Sequence, residues 1–328
     1  MEVVALTFRH QNTSSSERNY IHASSDSAAA PINISTMVSS TLLLGGILAA
    51  ATLSFALPPS PPERRGAGAI KCPVVLNGLV GVSLTPADFD SYATSPFNPD
   101  YVRGGEKFSQ TLRFPAVAAS SRFDNASTKA VEVTINDRSI FQAQNGFRRA
   151  GLQIQGDTNE GGPGTVGIRT LHFSVKQDPQ RRLNLTHEYL NVWHETADYS
   201  ANQFNFQAGT LIGRNSNKNT FKVLNRQNTE VWSTPIDETA WQNFAITLDF
   251  NKNTLQVYYS RGDEPLRSVT SALSNNNAGG GQYQIGILKK PTGTSDVVNG
   301  GYQEKNLDEG QIYGGLFLED GANGCISL

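Results

Sequence analysis

LDFNKNTLQVYY, from Leu248 to Tyr259, reads as strand, turn and strand. Apolar and polar residues alternate on either side of a polar Asn251-Lys252-Asn253 break, so the two halves are expected to pair as an antiparallel hairpin. The same period of two recurs on both sides of it. VEVTIN (Val131–Asn136), TLHFSVK (Thr170–Lys176), HEYLNVWHE (His187–Glu195) and FNFQAGTLIG (Phe204–Gly213) precede it, FAITLDF (Phe244–Phe250) and TLQVYYS (Thr254–Ser260) flank its turn, and YQIGIL (Tyr283–Leu288) and IYGGLFLE (Ile312–Glu319) follow it. No long helical amphipathic pattern competes. The helical pieces are short, such as TPADFDSY, where Thr85 would cap a turn opened by Pro86. Many short strands without βαβ alternation predict an all-β sandwich or barrel of antiparallel strands, one curved face of which forms a trough for an extended polymer. There is no internal repeat or second domain.

Composition narrows the function. Among 328 residues, 30 Gly and 15 Pro suit a turn-rich chain. A formal net charge of −2 offers no basic field for a phosphate backbone, which argues against nucleic acid as a partner. The long apolar run, Thr41 to Leu57, is marginal for a membrane span and fits a secretory h-region with small residues at Ser54 and Ala56. The expected organisation is a polar leader over 1–36 with Met37 as the effective start, a signal peptide over 37–56 cleaved after Ala56, a Pro/Gly-rich spacer over 57–69 and one domain over 70–328. Secretion as a monomer without stable membrane association follows. The alternative is a signal anchor in a type II membrane protein. Cys72 and Cys325 bracket the domain and in an oxidising compartment would form one bridge; the alternative is two free thiols. Asn125-Ala-Ser and Asn184-Leu-Thr are glycosylation acceptors consistent with export.

Several chemistries lack their signatures. No G-x-S-x-G elbow, Walker loop, dinucleotide fingerprint or HExxH spacing stands in a suitable context, so no cofactor and no transition-metal centre are expected, while oxygen-rich calcium binding stays open. Of five histidines, His10 and His22 fall in the leader, leaving His172, His187 and His194. Strict alternation along HEYLNVWHE puts His187, Tyr189, Asn191, Trp193 and Glu195 on one face and Glu188, Leu190, Val192 and His194 on the other. A face carrying Glu188 beside Leu190 is expected to meet something polar, because an unpaired buried carboxylate is costly. From periodicity alone, a sugar platform and an ordinary ion-paired strand are equally open. In GFRRAGLQI (Gly146–Ile154) the adjacent Arg148 and Arg149 point to opposite sides of the sheet, and the inward-facing one would bind hydroxyls or hold a carboxylate ionised.

Taken together in order, EVTINDRSIF, GFRRAGLQ, FSVKQDPQRRLNLTHEYLNVWHE, FKVL, WQNFAITLDFNKNTLQVYYS and GGYQE resemble glycoside hydrolase family 131, from about Cys72 to about Glu319. The resemblance implies a β-jelly-roll sandwich with a concave glucan-binding face, secreted by fungi and acting on β-1,3, β-1,6 and β-1,4 glucosidic bonds. It further implies a pair of glutamates that hydrolyse with inversion. One of them matches Glu188 in Thr186-His187-Glu188-Tyr189, with His187 and Tyr189 as neighbours and Arg148, Arg149, Trp193, Gln303 and Glu304 as further substrate-binding positions. The other belongs to a pattern similar to FRRAEL, where this chain reads Phe147-Arg148-Arg149-Ala150-Gly151-Leu152. Gly151 therefore stands where the second carboxylate is expected, and glycine moves no proton. Losing one general acid or base removes a factor of about 100 to 10,000 in rate. Asp157, Glu160, Glu195 and Glu304 are candidates to reach the vacant place. Three readings follow: a β-glucanase impaired or rewired at Gly151, a non-catalytic glucan-binding protein, or a jelly-roll polysaccharide lyase.

Overall fold

The computed structural model describes residues 68–117 and 120–328. The expected leader over 1–36, the signal peptide over 37–56 and nearly all of the spacer over 57–69 lie outside those residues. Among the described residues, the strands of four residues or more are β1 (Val74–Asn77), β2 (Val131–Asn136), β3 (Arg148–Leu152), β4 (Ile168–Gln177), β5 (Glu188–Glu195), β6 (Asn202–Gly209), β7 (Thr220–Asn225), β8 (Glu230–Pro235), β9 (Gln242–Asp249), β10 (Thr254–Arg261), β11 (Gln282–Lys289) and β12 (Asp308–Asp320).

The hairpin forms as its sequence predicts. β9 and β10 pair without a break from Gln242↔Arg261 to Asp249↔Thr254. Asp249 turns the chain by accepting the backbone N–H groups of Asn251 and Lys252, both at 2.9 Å, and Asn253 supplies the left-handed residue with φ 52°. Asparagine tolerates that conformation because its short side chain hydrogen-bonds locally.

Outward from the hairpin, a nine-stranded sheet runs β10-β9-β4-β12-β2. The two-residue strands Arg267–Ser268 and Leu112–Arg113 extend its edges, β1 adds to β12, and Leu273–Ser274 adds to β10. A six-stranded sheet runs β8-β7-β6-β5-β11-β3. The ladders within both sheets are antiparallel.

The core lies between the two sheets. Phe173 on β4 and Phe244 on β9 meet Phe206 on β6 at centroid distances of 5.0 and 4.6 Å, and Phe206 stacks on Phe221 of β7 at 4.9 Å. Each is almost fully buried, and removing one such ring costs about 3–5 kcal/mol. The architecture is the antiparallel sandwich that the alternating strands predict, and the jelly roll that the resemblance implies. At Thr85 the short helical piece forms as one 3-10 turn, Pro86–Asp90, with the Asp88 carboxylate accepting both the backbone N–H and the hydroxyl of Thr85 at 2.7 Å.

The chain ends are tied. Cys72 and Cys325 are bridged, with Cα atoms 5.8 Å apart, so the bridge and not the free-thiol alternative is found. Closing a loop of this length stabilises by roughly 5 kcal/mol in the chain-entropy account. Ser327 joins the tie: its Oγ donates to Glu319 at 2.6 Å and accepts from the Lys71 N–H at 2.8 Å. His172 donates from Nε2 to Glu319 at 2.8 Å and stacks on Phe317 at 4.4 Å, fully buried. It belongs to this tie, remote from the candidate groove.

Candidate functional site

One extra residue decides what faces solvent on β5. Against β6, Leu190 pairs with Gln207 and Val192 with Phe206, leaving Asn191 unmatched; against β11 the register also shifts between Ile285 and Leu288. A bulge of this kind puts two successive residues on the same side and re-aims everything beyond it. Tyr189 and Val192 both enter the central core, whereas Leu190 and Trp193 share the outer face with Phe147 and Leu288. The strict alternation expected along this strand is thereby corrected. Glu188, Leu190, Trp193 and Glu195 face outward, while Tyr189, Val192 and His194 face inward. His194 donates from Nδ1 to the Gln203 amide oxygen at 2.7 Å and lies edge-on to Tyr283; burial pushes its pKa down to about 4.

The outer face forms an open groove of about 620 Å³, within the range of ligand clefts. Glu188 and Leu190 line it together with Asn205 and Gln207 of β6, Leu224 of β7, and Ile212, Arg214, Arg226, Asn228 and Lys290 from the connections. Glu188 is fully engaged: Oε1 accepts from Lys290 Nζ at 2.5 Å and from Gln207 Nε2 at 3.2 Å, and Oε2 accepts from the Ile212 backbone N–H at 2.7 Å. Nearby, Lys222 Nζ donates to the Gly209 and Thr220 carbonyls. Gly209, with φ 79°, is required there, since a Cβ would lie 2.0 Å from the His187 carbonyl oxygen. That close approach seats the start of β5 against β6 and fixes where Glu188 points.

Gly151 sits on β3 opposite Gly286 of β11, two strands from β5. It shares its side of the strand with Arg149 and Gln153, while Ala150 and Leu152 enter the core. Nothing in the backbone demands glycine here: a Cβ would meet no atom closer than 3.9 Å, and the space is bordered by Tyr101 and Val102. Across the ladder the situation is opposite, because a Cβ on Gly286 would lie 2.3 Å from the Ala150 carbonyl oxygen. At a strand spacing of about 4.8 Å, Gly151 lies roughly 10 Å sideways from β5, and the ladders set it level with Asn191, about 10 Å along the strand from Glu188. With the two Cα positions roughly 14 Å apart, a carboxyl group at 151 would have to lean toward Glu188 to approach the ~6.5–9.5 Å of an inverting pair.

Arg149, of the adjacent arginines, is the one on the outer face. Its guanidinium donates to Gln144 and Gln284, each at 3.1 Å, and lies over the Trp193 and Phe141 rings at 5.8 and 5.5 Å. Gln284 in turn donates to Glu195. Burial raises the Glu195 pKa, and Arg149 partly opposes it. Glu195 is thus linked to the neighbourhood of Gly151. It stands at the far end of the eight-residue strand from Glu188, however, about 20 Å away at ~3.3 Å per residue, too far to serve as its proton-transfer partner.

The remaining expected residues are placed elsewhere. Arg148 bonds the Asn145 and Phe147 carbonyls on the other side of β3. Trp193 is 2% exposed, with its ring packed beneath the outer face. Behind β5, Tyr189 donates to Glu309 at 2.8 Å, His187 meets Glu304 at 3.1 Å, and Lys289 binds Glu304 and Glu309 at 2.6 and 2.7 Å. Gln303 holds the neighbouring loop by donating to the Gly146 and Lys289 carbonyls. The structure therefore gathers His187, Tyr189 and Glu304 with one another and separates them from Glu188. Asp157 is buried beside Tyr283, whose N–H it accepts at 2.7 Å, and burial raises its pKa to about 7; Glu160 is exposed. Among the described residues, no three His, Cys, Asp or Glu side chains gather to hold a metal ion. Sequence reasoning missed Lys290, Gln207, Tyr101 and Tyr199. All but Gln207 sit in connections, where periodicity carries no signal, and Gln207 needed the β5–β6 register.

A sandwich of antiparallel strands with a polar groove on the outer face of one sheet defines a jelly roll. Residues 74–324 match the family described as glycoside hydrolase 131 catalytic N-terminal domain, and the chain belongs to that family. It is similar to the crystal structure of a family 131 β-glucanase catalytic domain from Podospora anserina, with a TM-score of 0.62, 19% identity, and 76% of this chain and 96% of that one covered. It is also similar to the catalytic domain of a family 131 protein from Coprinopsis cinerea, with a TM-score of 0.61, 22% identity, and coverage of 77% and 100%. At these identities the likeness carries the fold. No sequence among curated proteins matches the chain.

Proposed function

We propose that this chain is a secreted β-glucan-binding member of family 131 whose hydrolytic power is crippled at Gly151. The carrying observation is a single engaged groove carboxylate, Glu188, together with glycine at 151, where the family resemblance expects the second carboxylate and where the backbone would admit a side chain. The open polar groove suits the hydroxyls of a neutral polymer, and the Cys72–Cys325 bridge suits an oxidising, extracellular setting. Linkages of the β-1,3, β-1,6 and β-1,4 types are the substrates to offer, and the expected partner is a glucan chain with the protein as a monomer.

The test is reducing-sugar release from laminarin, lichenan and cellulose by the natural protein and by Gly151→Glu, with glucan binding measured for both. Binding by both, with turnover raised about 100- to 10,000-fold in Gly151→Glu, is the expected result. Robust and equal turnover by the two proteins would overturn the crippled-enzyme reading, and failure of both to bind any glucan would overturn the glucan reading itself.

A further inference from the structure

The turn between β5 and β6 holds Tyr199 in a conformation that tyrosine rarely adopts, with φ 60°. Six non-glycine residues among those described have positive φ, and four of them, Asn228, Asn253, Asn306 and Asn323, are asparagine, the residue that pays least for it. Tyr199 is the aromatic exception. A bulky side chain kept in the left-handed region against its preference points to a use for that side chain.

The turn is built to hold it. Asp198 Oδ1 accepts from the Thr196 hydroxyl and the Ser200 hydroxyl, both at 2.8 Å, and from the Ser200 N–H at 3.1 Å. The Tyr199 N–H donates to the Thr196 carbonyl at 2.9 Å, and the turn is anchored from outside by Ala197 N–H donating to Gly279 and by Asn159 donating to the Ala197 carbonyl. The ring itself is 41% exposed and lines the groove beside Glu195, Asn202, Arg226 and Asn228, at the end away from Glu188. It is the one aromatic side chain among the groove's lining residues.

We propose that Tyr199 is a sugar-stacking platform forming a remote subsite, which makes the groove favour long β-glucan chains over short oligosaccharides. The inference rests on the glucan reading above and deepens it. An aromatic ring presents an apolar face to the C–H face of a pyranose while Asn202, Asn228 and Arg226 are at hand for its hydroxyls. Since about 20 Å of strand separates Glu188 from this end, a ligand touching both must be several glucosyl units long.

Calorimetric binding of a β-glucan trisaccharide and hexasaccharide to the natural protein, Tyr199→Phe, Tyr199→Ala and Tyr199→Asn tests it. Expected is a loss of about tenfold in hexasaccharide affinity for the Ala and Asn variants, a much smaller loss for the trisaccharide, and retention by Phe. Tyr199→Asn should at the same time melt a few degrees higher, because asparagine suits the turn, so that weaker binding cannot be put down to damaged folding. Unchanged hexasaccharide affinity in Tyr199→Asn, or equal losses at both lengths, would overturn the subsite. If the natural protein binds neither oligosaccharide, the glucan reading falls first and the subsite with it.

Discussion

Two neighbouring lysines at the end of β11 serve opposite sides of one sheet. Lys290 reaches outward to Glu188 in the open groove, while Lys289 turns inward, fully buried, to Glu304 and Glu309. The ion pairs are of similar length, but water reaches the Lys290 side chain at the groove, whereas Lys289 and Glu309 are sealed and only Glu304 is partly open. In a solvent-open pair, screening and the entropy of long side chains leave little net stabilisation. In a sealed one the partners depend on each other, because an orphaned buried charge has no water to turn to. The difference lies in the lysines, and it sets Glu188 at the groove wall apart from the His187–Tyr189–Glu304 group at the sandwich end, although His187 and Tyr189 flank Glu188 in sequence.

The largest expected effect is on the sealed side. Lys289→Ala should destabilise the fold by about 3–5 kcal/mol in urea unfolding, by stranding the buried Glu309 carboxylate. A loss below 1 kcal/mol would break the comparison. A second sealed carboxyl, Asp157, makes stability depend on pH in a stated direction. Its folded pKa is raised to about 7 from an ordinary 3.8, so its protonated form favours the fold, and that contribution is lost as pH rises from about 4 through 7. Stability at pH 5 should exceed that at pH 7.5, and Asp157→Asn should flatten this slope; an unchanged slope would remove Asp157 from the account. On the groove side, Lys290→Ala should cost less than Lys289→Ala in the same unfolding experiment, because the Glu188 carboxylate left behind is still held by the Gln207 side chain and the Ile212 N–H. Its main effect should fall on glucan binding, measured separately by calorimetry.

Much of the fold was legible because it is written locally. VEVTIN coincides with β2, and the Asn-Lys-Asn break coincides with the β9–β10 turn, since alternation and turn chemistry are properties of short segments. Cys72 and Cys325 were paired correctly from their positions at the two ends of the domain. The faces of β5 were not legible, because the extra residue at Asn191 exists only relative to β6 and β11; alternation was right for Glu188 and Leu190 and failed from Val192 onward. For the same reason, sequence could say that Arg148 and Arg149 diverge but not that Arg149 is the one over Trp193. Lys290 and Tyr199 escaped notice altogether, as their roles arise from connections brought to the groove by strands far apart in the chain.

The facing glycines of β3 and β11 differ in what they allow next. Gly286 is locked in place by the Ala150 carbonyl that any Cβ would strike, whereas Gly151 has ordinary backbone and would take a Cβ at normal contact distance. Under the reading proposed above, a lineage carrying this chain keeps a short evolutionary road to renewed catalysis, since a side chain at 151 asks no rearrangement of the β3 backbone.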